Sequence, residues 1–220
     1  MKKKIKIIFI VIKFLFLFIN ISLRRINHKK TIGVVGLINH NNIGNNLVKF
    51  AMYTKLKEFG FYPKLIGTTH KAGNIYFLRK YVKLKEVNKT FSGLNENDYD
   101  ILMVNSDQTW NGEFKELLNI GFLKFAENWK TKRFVYGASL GYDYWKYNKT
   151  FDIIARNLLK KFSGISVREK NAIKLVEKHL KIKPQLVLDP TMLIDKKYYL
   201  NLIKVIKILN SKINIFVFIN

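Results

Sequence analysis

Cysteine is absent from the 220 residues, so disulfides, thiolate metal sites and a cysteine nucleophile are excluded. The lack of thiols fits a reducing compartment. Histidine is scarce as well: four residues without paired spacing offer no metal constellation. No Pro/Gly/Ser-rich linker and no internal repeat interrupts the chain. A GxGxxG fingerprint is missing, and with it the case for a nicotinamide cofactor. Acidic residues are few, 15 against 40 Lys and Arg, which leaves a net charge of +25. That excess does not by itself mark a nucleic-acid binder. The lysines are spread over almost every segment, and no helix-turn-helix, zinc finger or aromatic RNA-binding string accompanies them. No specific nucleic acid is expected as a partner. Attraction to anionic lipid or to a phosphorylated substrate uses the same charge.

What the chain does contain is enough apolar material for a core: 48% hydrophobic residues. Its length suits one sizeable domain, or one domain and part of another. Residues 1–30 stand apart. Lys2, Lys3, Lys4 and Lys6 precede an apolar stretch from Ile7 to Leu23, and Arg24, Arg25, Lys29 and Lys30 follow it. The stretch is near the lower limit of a bilayer span, roughly 17 residues. Lys13 sits in its middle, where a charge costs about 2.5–3.5 kcal/mol on insertion scales. Wound as a helix, Lys2, Lys6, Lys13, Asn20 and Arg24 share one stripe. The segment is expected to be an interfacial helix or anchor, ahead of a single span or a helix packed on the domain. No small-residue cleavage site follows it.

From residue 31 onward strand and helix patterns alternate. Strands are expected at Thr31–Leu37, Tyr62–Ile66, Ile101–Val104, Arg133–Tyr136, Gly164–Val167 and Leu186–Leu188. Helical spacing appears through Leu47, Phe50, Ala51, Leu56 and Phe59, then at Phe151–Phe162 and Glu169–Leu180. Residues 68–98 read as irregular, with a short basic helix over Tyr76–Leu84, and Leu117–Phe125 is a further apolar stretch. This alternation predicts an α/β fold, a Rossmann-like parallel sheet covered by helices on both faces. A helix at Tyr198–Leu209 and a strand at Ile213–Ile219 then read as the start of a second unit.

Ile101–Val104 is a continuous apolar run that ends in Asn105-Ser106-Asp107-Gln108-Thr109-Trp110-Asn111. In an open α/β sheet ligands lie beyond the carboxyl ends of the strands. A carboxylate, a carboxamide and an indole crowded there read either as a binding site or as a turn whose side chains satisfy local backbone. This string resembles the Gly-Ser-Asp-Gln-x-Trp-Asn signature of the polysaccharide pyruvyl transferase family, with Asn105 where the signature usually has Gly. Other strings match that family in order: Gly33–Gly36 with Asn42–Leu47, Phe134–Gly141, Phe162–Glu169 and Val187–Leu193.

The resemblance implies a domain spanning 31–195, similar to the N-terminal half of a GT-B-like two-domain fold, with 196–220 the beginning of a truncated second half. It implies transfer of a pyruvyl group from phosphoenolpyruvate to a glycan acceptor, a cell-surface polysaccharide or its lipid-linked precursor, with the activity expected to be impaired by the truncation. No cofactor or metal is called for. The expected location is cytoplasmic, at the inner face of the membrane. Asp107 suits the base or hydrogen-bond acceptor that meets a sugar hydroxyl. Gln108 would orient the sugar. Trp110 offers its ring an apolar face, unless it is ordinary core. Arg168 would bind phosphate or carboxylate, unless it pairs with Glu169 or Asp189. Ser139, between Gly137 and Gly141, allows close backbone approach. Gly44 and Asn45 offer N–H groups to an anion, or are a plain helix cap. His40 is a proton donor in the same mouth or a solvated loop residue. The alternatives are a GT-B-type glycosyltransferase using a nucleotide sugar, and a non-catalytic basic membrane-surface protein.

Overall fold

A computed structural model of the chain describes residues 29–38, 42–68, 76–112 and 117–209. The expected N-terminal helix, His40 and the expected strand at Ile213–Ile219 lie outside the described residues. The strands are β1 (Thr31–Val35), β2 (Tyr62–Thr68), β3 (Leu84–Val87), β4 (Ile101–Val104), β5 (Lys132–Ala138), β6 (Gly164–Val167) and β7 (Gln185–Leu186). Between and after them run α1 (Ile43–Glu58), α2 (Tyr76–Tyr81), α3 (Leu117–Phe122), α4 (Lys149–Leu159), α5 (Lys170–Leu180) and α6 (Lys196–Leu209).

All seven strands pair in parallel, in the order β3-β2-β1-β4-β5-β6-β7. Successive side chains on a strand point to opposite faces, and the register aligns those faces across the sheet. Ile32 and Val34 of β1 sit beside Ile101 and Met103 of β4, and Met103 beside Phe134 of β5. That face packs on Phe50, Met52 and Leu56 of α1, Leu78 of α2 and Leu202 of α6. Val35, Leu102, Val104 and Val135 point the other way, onto Ile120 and Phe122 of α3, Leu158 and Leu159 of α4 and Val176 and Leu180 of α5. Two-sided burial explains why β4 is apolar at every position. It also explains Gly33: a Cβ there would lie 2.8 Å from both Leu102 and Tyr99 and 2.9 Å from Ile66.

The expected α/β architecture is therefore present, and one such Rossmann-like sheet is compatible with the first half of a GT-B-like enzyme. One strand differs from expectation. The basic helix stops at Tyr81, and Leu84–Val87 forms edge strand β3 where a continuing helix and irregular chain were expected. As an edge strand it is only half-buried and carries Lys85 and Glu86, so no apolar run announces it.

The carboxyl end of β5 is irregular, with a register shift against β6 between Val135 and Ala138. Buried hydroxyls bridge the gap. Ser166 Oγ donates to Val135 O at 2.9 Å and accepts from Gly137 N at 2.9 Å, while Ser106 Oγ donates to Gly137 O at 2.8 Å. These bonds fix where the loops after β4 and β5 emerge.

Candidate functional site

The order of the strands reverses direction between β1 and β4, the neighbours from which the chain builds outward to either side. At such a switch point the loops diverge and leave a crevice at the carboxyl ends. Asp107 stands at that edge, just past the end of β4. Its backbone continues the sheet as a bridge to Ala138: Ser139 N donates to Asp107 O at 2.9 Å, and Trp110 N to Ser139 O at 3.1 Å. Its φ is 146°, a region that residues with a side chain seldom occupy and that costs of order 1–3 kcal/mol. The surrounding ladder holds it there.

The carboxylate of Asp107 is met from α1. Asn42 caps that helix, its side chain accepting from Asn45 N at 3.0 Å, so the first turn is fixed. Asn45 and Lys49, one turn apart on the inner face, are both buried. Asn45 Nδ2 donates to Asp107 Oδ2, and Lys49 Nζ donates to Asn45 Oδ1 and, at 3.2 Å, to Asn45 O. The Lys49 ammonium lies 3.9 Å from Asp107 Oδ2. The other carboxylate oxygen accepts from Gln108 N at 2.8 Å. Burial strips water from Lys49 and brings its ammonium down to about 7, against the opposing pull of Asp107. The Asp107 side chain keeps 19% exposure, and the Lys49 side chain has none. The result is a carboxylate open to the crevice on one side and backed by a buried cation on the other.

Beneath this group lies Asn105, fully buried, with neither amide atom hydrogen-bonded among the described residues. It shares a corner with Gly36 and Lys49: a Cβ on Gly36 would lie 3.9 Å from Asn105 Nδ2 and 3.9 Å from Lys49 Cε. Asn46 is buried nearby on α1, and its Oδ1 also lacks a partner among the described residues.

The structure brings several of the sequence-predicted residues to one edge. Asp107, Ser139 and Arg168 follow β4, β5 and β6, and their backbones are linked, Arg168 N reaching Ala138 O at 3.4 Å. Gln108 is exposed and accepts from Asn111 Nδ2 at 3.1 Å. Ser139 is buried, and its hydroxyl accepts from Gly141 N at 3.1 Å. Gly44 is exposed in the first turn of α1, where a Cβ would lie 3.2 Å from the capping Asn42 Oδ1.

At two positions the side chain follows the second of the two readings open for it. Trp110 offers no face to a sugar: it is fully buried, its ring stacks on Phe122 at 5.2 Å, and its Nε1 donates to Gly121 O at 2.7 Å. Arg168 is an ion-pair residue. Nη1 meets Asp189 Oδ2 at 2.7 Å and Nε meets Glu169 Oε1 at 3.1 Å. Burial alone would lower the guanidinium, but bonds to Glu169 and the charges of both carboxylates raise it overall. Asp189 is itself fixed by Thr191 N at 2.9 Å and Thr191 Oγ1 at 2.7 Å.

Lys49 is the residue that sequence reasoning missed. In a chain with 40 basic residues one more lysine carries no signal by type. Its position does: Asn45, Lys49, Met52 and Leu56 fall on one helical stripe, and a lysine on the apolar face of α1 needs an explanation. No group of three or more His, Cys, Asp or Glu is placed to hold a metal ion among the described residues. No helix among them is long and apolar enough to cross a membrane. A surface cleft of about 430 Å³ lined by Glu127, Lys130, Arg133 and Lys161 opens at the start of β5. That is the opposite edge from Asp107, away from where a parallel sheet places its ligands.

A seven-stranded parallel sheet covered by helices on both faces defines the class: an α/β protein of Rossmann-like architecture. More narrowly, the chain belongs to the polysaccharide pyruvyl transferase family, whose model matches residues 42–217. No curated protein matches it significantly.

Proposed function

We propose that the protein acts in the transfer of a pyruvyl group from phosphoenolpyruvate to hydroxyls of a cell-surface glycan or its lipid-linked precursor, with Asp107 as the base. The observation that carries this reading is the Asp107 carboxylate, held by Asn45 and backed by Lys49 at the mouth of the switch-point crevice. Family membership supplies the reaction class.

Ketal formation consumes one donor and two hydroxyls. The enol carbon of the donor takes up a proton from water, and the adjacent carbon becomes electrophilic. A sugar hydroxyl adds to that carbon and gives its proton to Asp107, which returns it to water. The bond to phosphate then breaks as the second hydroxyl closes the ketal, and the second proton leaves with the phosphate. The carboxylate open to the crevice suits the first proton transfer, where a positioned base contributes about 100- to 10,000-fold. Gln108 is exposed beside it and would orient the acceptor. The basic charge of the chain would favour an acceptor held at the anionic inner face of the membrane.

The experiment is incubation of the protein with phosphoenolpyruvate and candidate glycans, including lipid-linked ones, followed by phosphate release and mass analysis of the glycan. Asp107→Asn is expected to lower turnover at least about 100-fold. Undiminished turnover in that variant would remove Asp107 from the mechanism. Thermal stabilisation by sugar nucleotides but not by phosphoenolpyruvate would instead assign the crevice to a glycosyl donor.

A further inference from the structure

We propose that Lys49 is the positioning residue for Asp107: it fixes which end of the Asn45 amide meets the carboxylate and holds a buried charge beneath it. The inference rests on the reading of Asp107 as the base and adds how that base is set.

An asparagine amide has two ends of nearly the same shape and opposite chemistry. Turned one way, Asn45 gives Asp107 an N–H donor. Turned the other way, it sets oxygen against oxygen. Nothing in the amide itself chooses. Lysine does, because its amine in the charged form has three donors and no acceptor. With Lys49 Nζ against Asn45 Oδ1, the Nδ2 end is left to face Asp107 Oδ2. The second bond, from Lys49 Nζ to Asn45 O at 3.2 Å, ties the amine to the backbone of α1 and limits its wandering.

At 3.9 Å the ammonium is too far to hydrogen-bond the carboxylate, so it acts through charge and leaves the oxygen lone pairs for a substrate proton. The Lys49 side chain is fully buried, so water does not screen that charge. Among the described residues Asp107 is the charge that pulls on it, against the effect of burial. Only the charged amine lacks an acceptor. When Lys49 loses its proton, near neutral pH, it no longer dictates which end of the Asn45 amide faces Asp107. The transfer rate should therefore fall through a descending limb near pH 7.

The test compares wild type, Lys49→Met, Asn45→Ala and the double variant, each first checked for cooperative thermal unfolding. In wild type, kcat should show the descending limb. In Lys49→Met the limb should vanish and kcat should drop about 100-fold, the cost of a misplaced reacting group, with KM changed less than threefold. Because Lys49 acts through Asn45, adding Lys49→Met to Asn45→Ala should cost less than a further threefold. Full additivity of the two changes, or a Lys49→Met profile with the limb intact, would overturn the proposal. A second measurement needs no turnover: NMR titration of the lysine side-chain resonances in the intact protein. Lys49 should titrate near 7 in wild type and lower in Asp107→Asn, which removes the one charge that raises it. A Lys49 resonance that ignores Asp107→Asn would sink the proposal even if transfer is observed. Absence of transfer with any donor would overturn the base reading, while the titration still decides the coupling.

Discussion

At position 105 the family signature carries glycine, and this chain carries asparagine without a left-handed backbone there. The positive φ falls two residues later, at Asp107. The chain thus does not use asparagine for its backbone tolerance. It buries an amide under the site with both atoms unpaired among the described residues. A buried polar group without a partner costs roughly 1–3 kcal/mol. Asn105→Ala should therefore leave stability unchanged or raise it by up to about 1–2 kcal/mol, read as a higher urea midpoint at constant slope. A midpoint lowered by the equivalent of more than about 1 kcal/mol would mean that the amide is satisfied in solution. Residue scale is also where the sequence was least legible. Asp107 and Asn45 could be named because their types and places are unusual. The burial of Trp110 and the pairing of Arg168 could be named only as one of two readings each, since an indole or guanidinium after a strand serves core, ion pair or ligand with equal ease.

Elements were read more securely than residues, for a physical reason. β4 and α1 announce themselves because two-sided burial demands an unbroken apolar run and one-sided burial a helical stripe. β3 has neither, being an edge strand with two charges in four residues. The loop from Ser139 to Asn148 belongs to this scale, since it seals one flank of the site. Gly141 starts it with φ +73°, and a Cβ there would lie 2.9 Å from Asn111 Nδ2 and 3.2 Å from Gln108 Cδ. Further along, Trp145 Nε1 donates to Asp152 Oδ1 at 2.8 Å, and Tyr147 OH donates to Trp110 O. Gly141→Ala should cost about 1–2 kcal/mol from the left-handed backbone alone. It should also push Gln108 and Asn111 aside, so acceptor KM is expected to rise while donor KM holds. A variant with the urea midpoint and both KM values of wild type would show that the loop does not press on Gln108.

For the molecule as a whole, alternation of strands and helices dictated a parallel sheet but not the strand order, because pairing partners are chosen by crossovers that leave no local trace. The order is what sets the switch point between β1 and β4, and Lys49 is buried on α1 behind the Asp107 carboxylate there. That burial has a global consequence for stability. Lys49 is lowered in the folded state from an ordinary 10.5 to about 7, so between those values the unfolded chain binds more protons than the native one. Stability then rises with pH, by at most about 1.4 kcal/mol per pH unit from this one group. Tyr136 and Tyr147 have the opposite effect. Burial raises both, as it raises Tyr99 and Tyr199 to about 12, so above pH 10 it is the native state that binds more protons. Stability should fall there. Urea unfolding from pH 6 to 11 is expected to show a maximum between about 8 and 10. In Lys49→Met the rise above pH 7 should flatten and the fall above pH 10 persist. A rise of the same slope in both proteins would place its origin elsewhere, in the general relief of a +25 charge, and would mean that Lys49 is not the neutral-pH titrating group its burial requires.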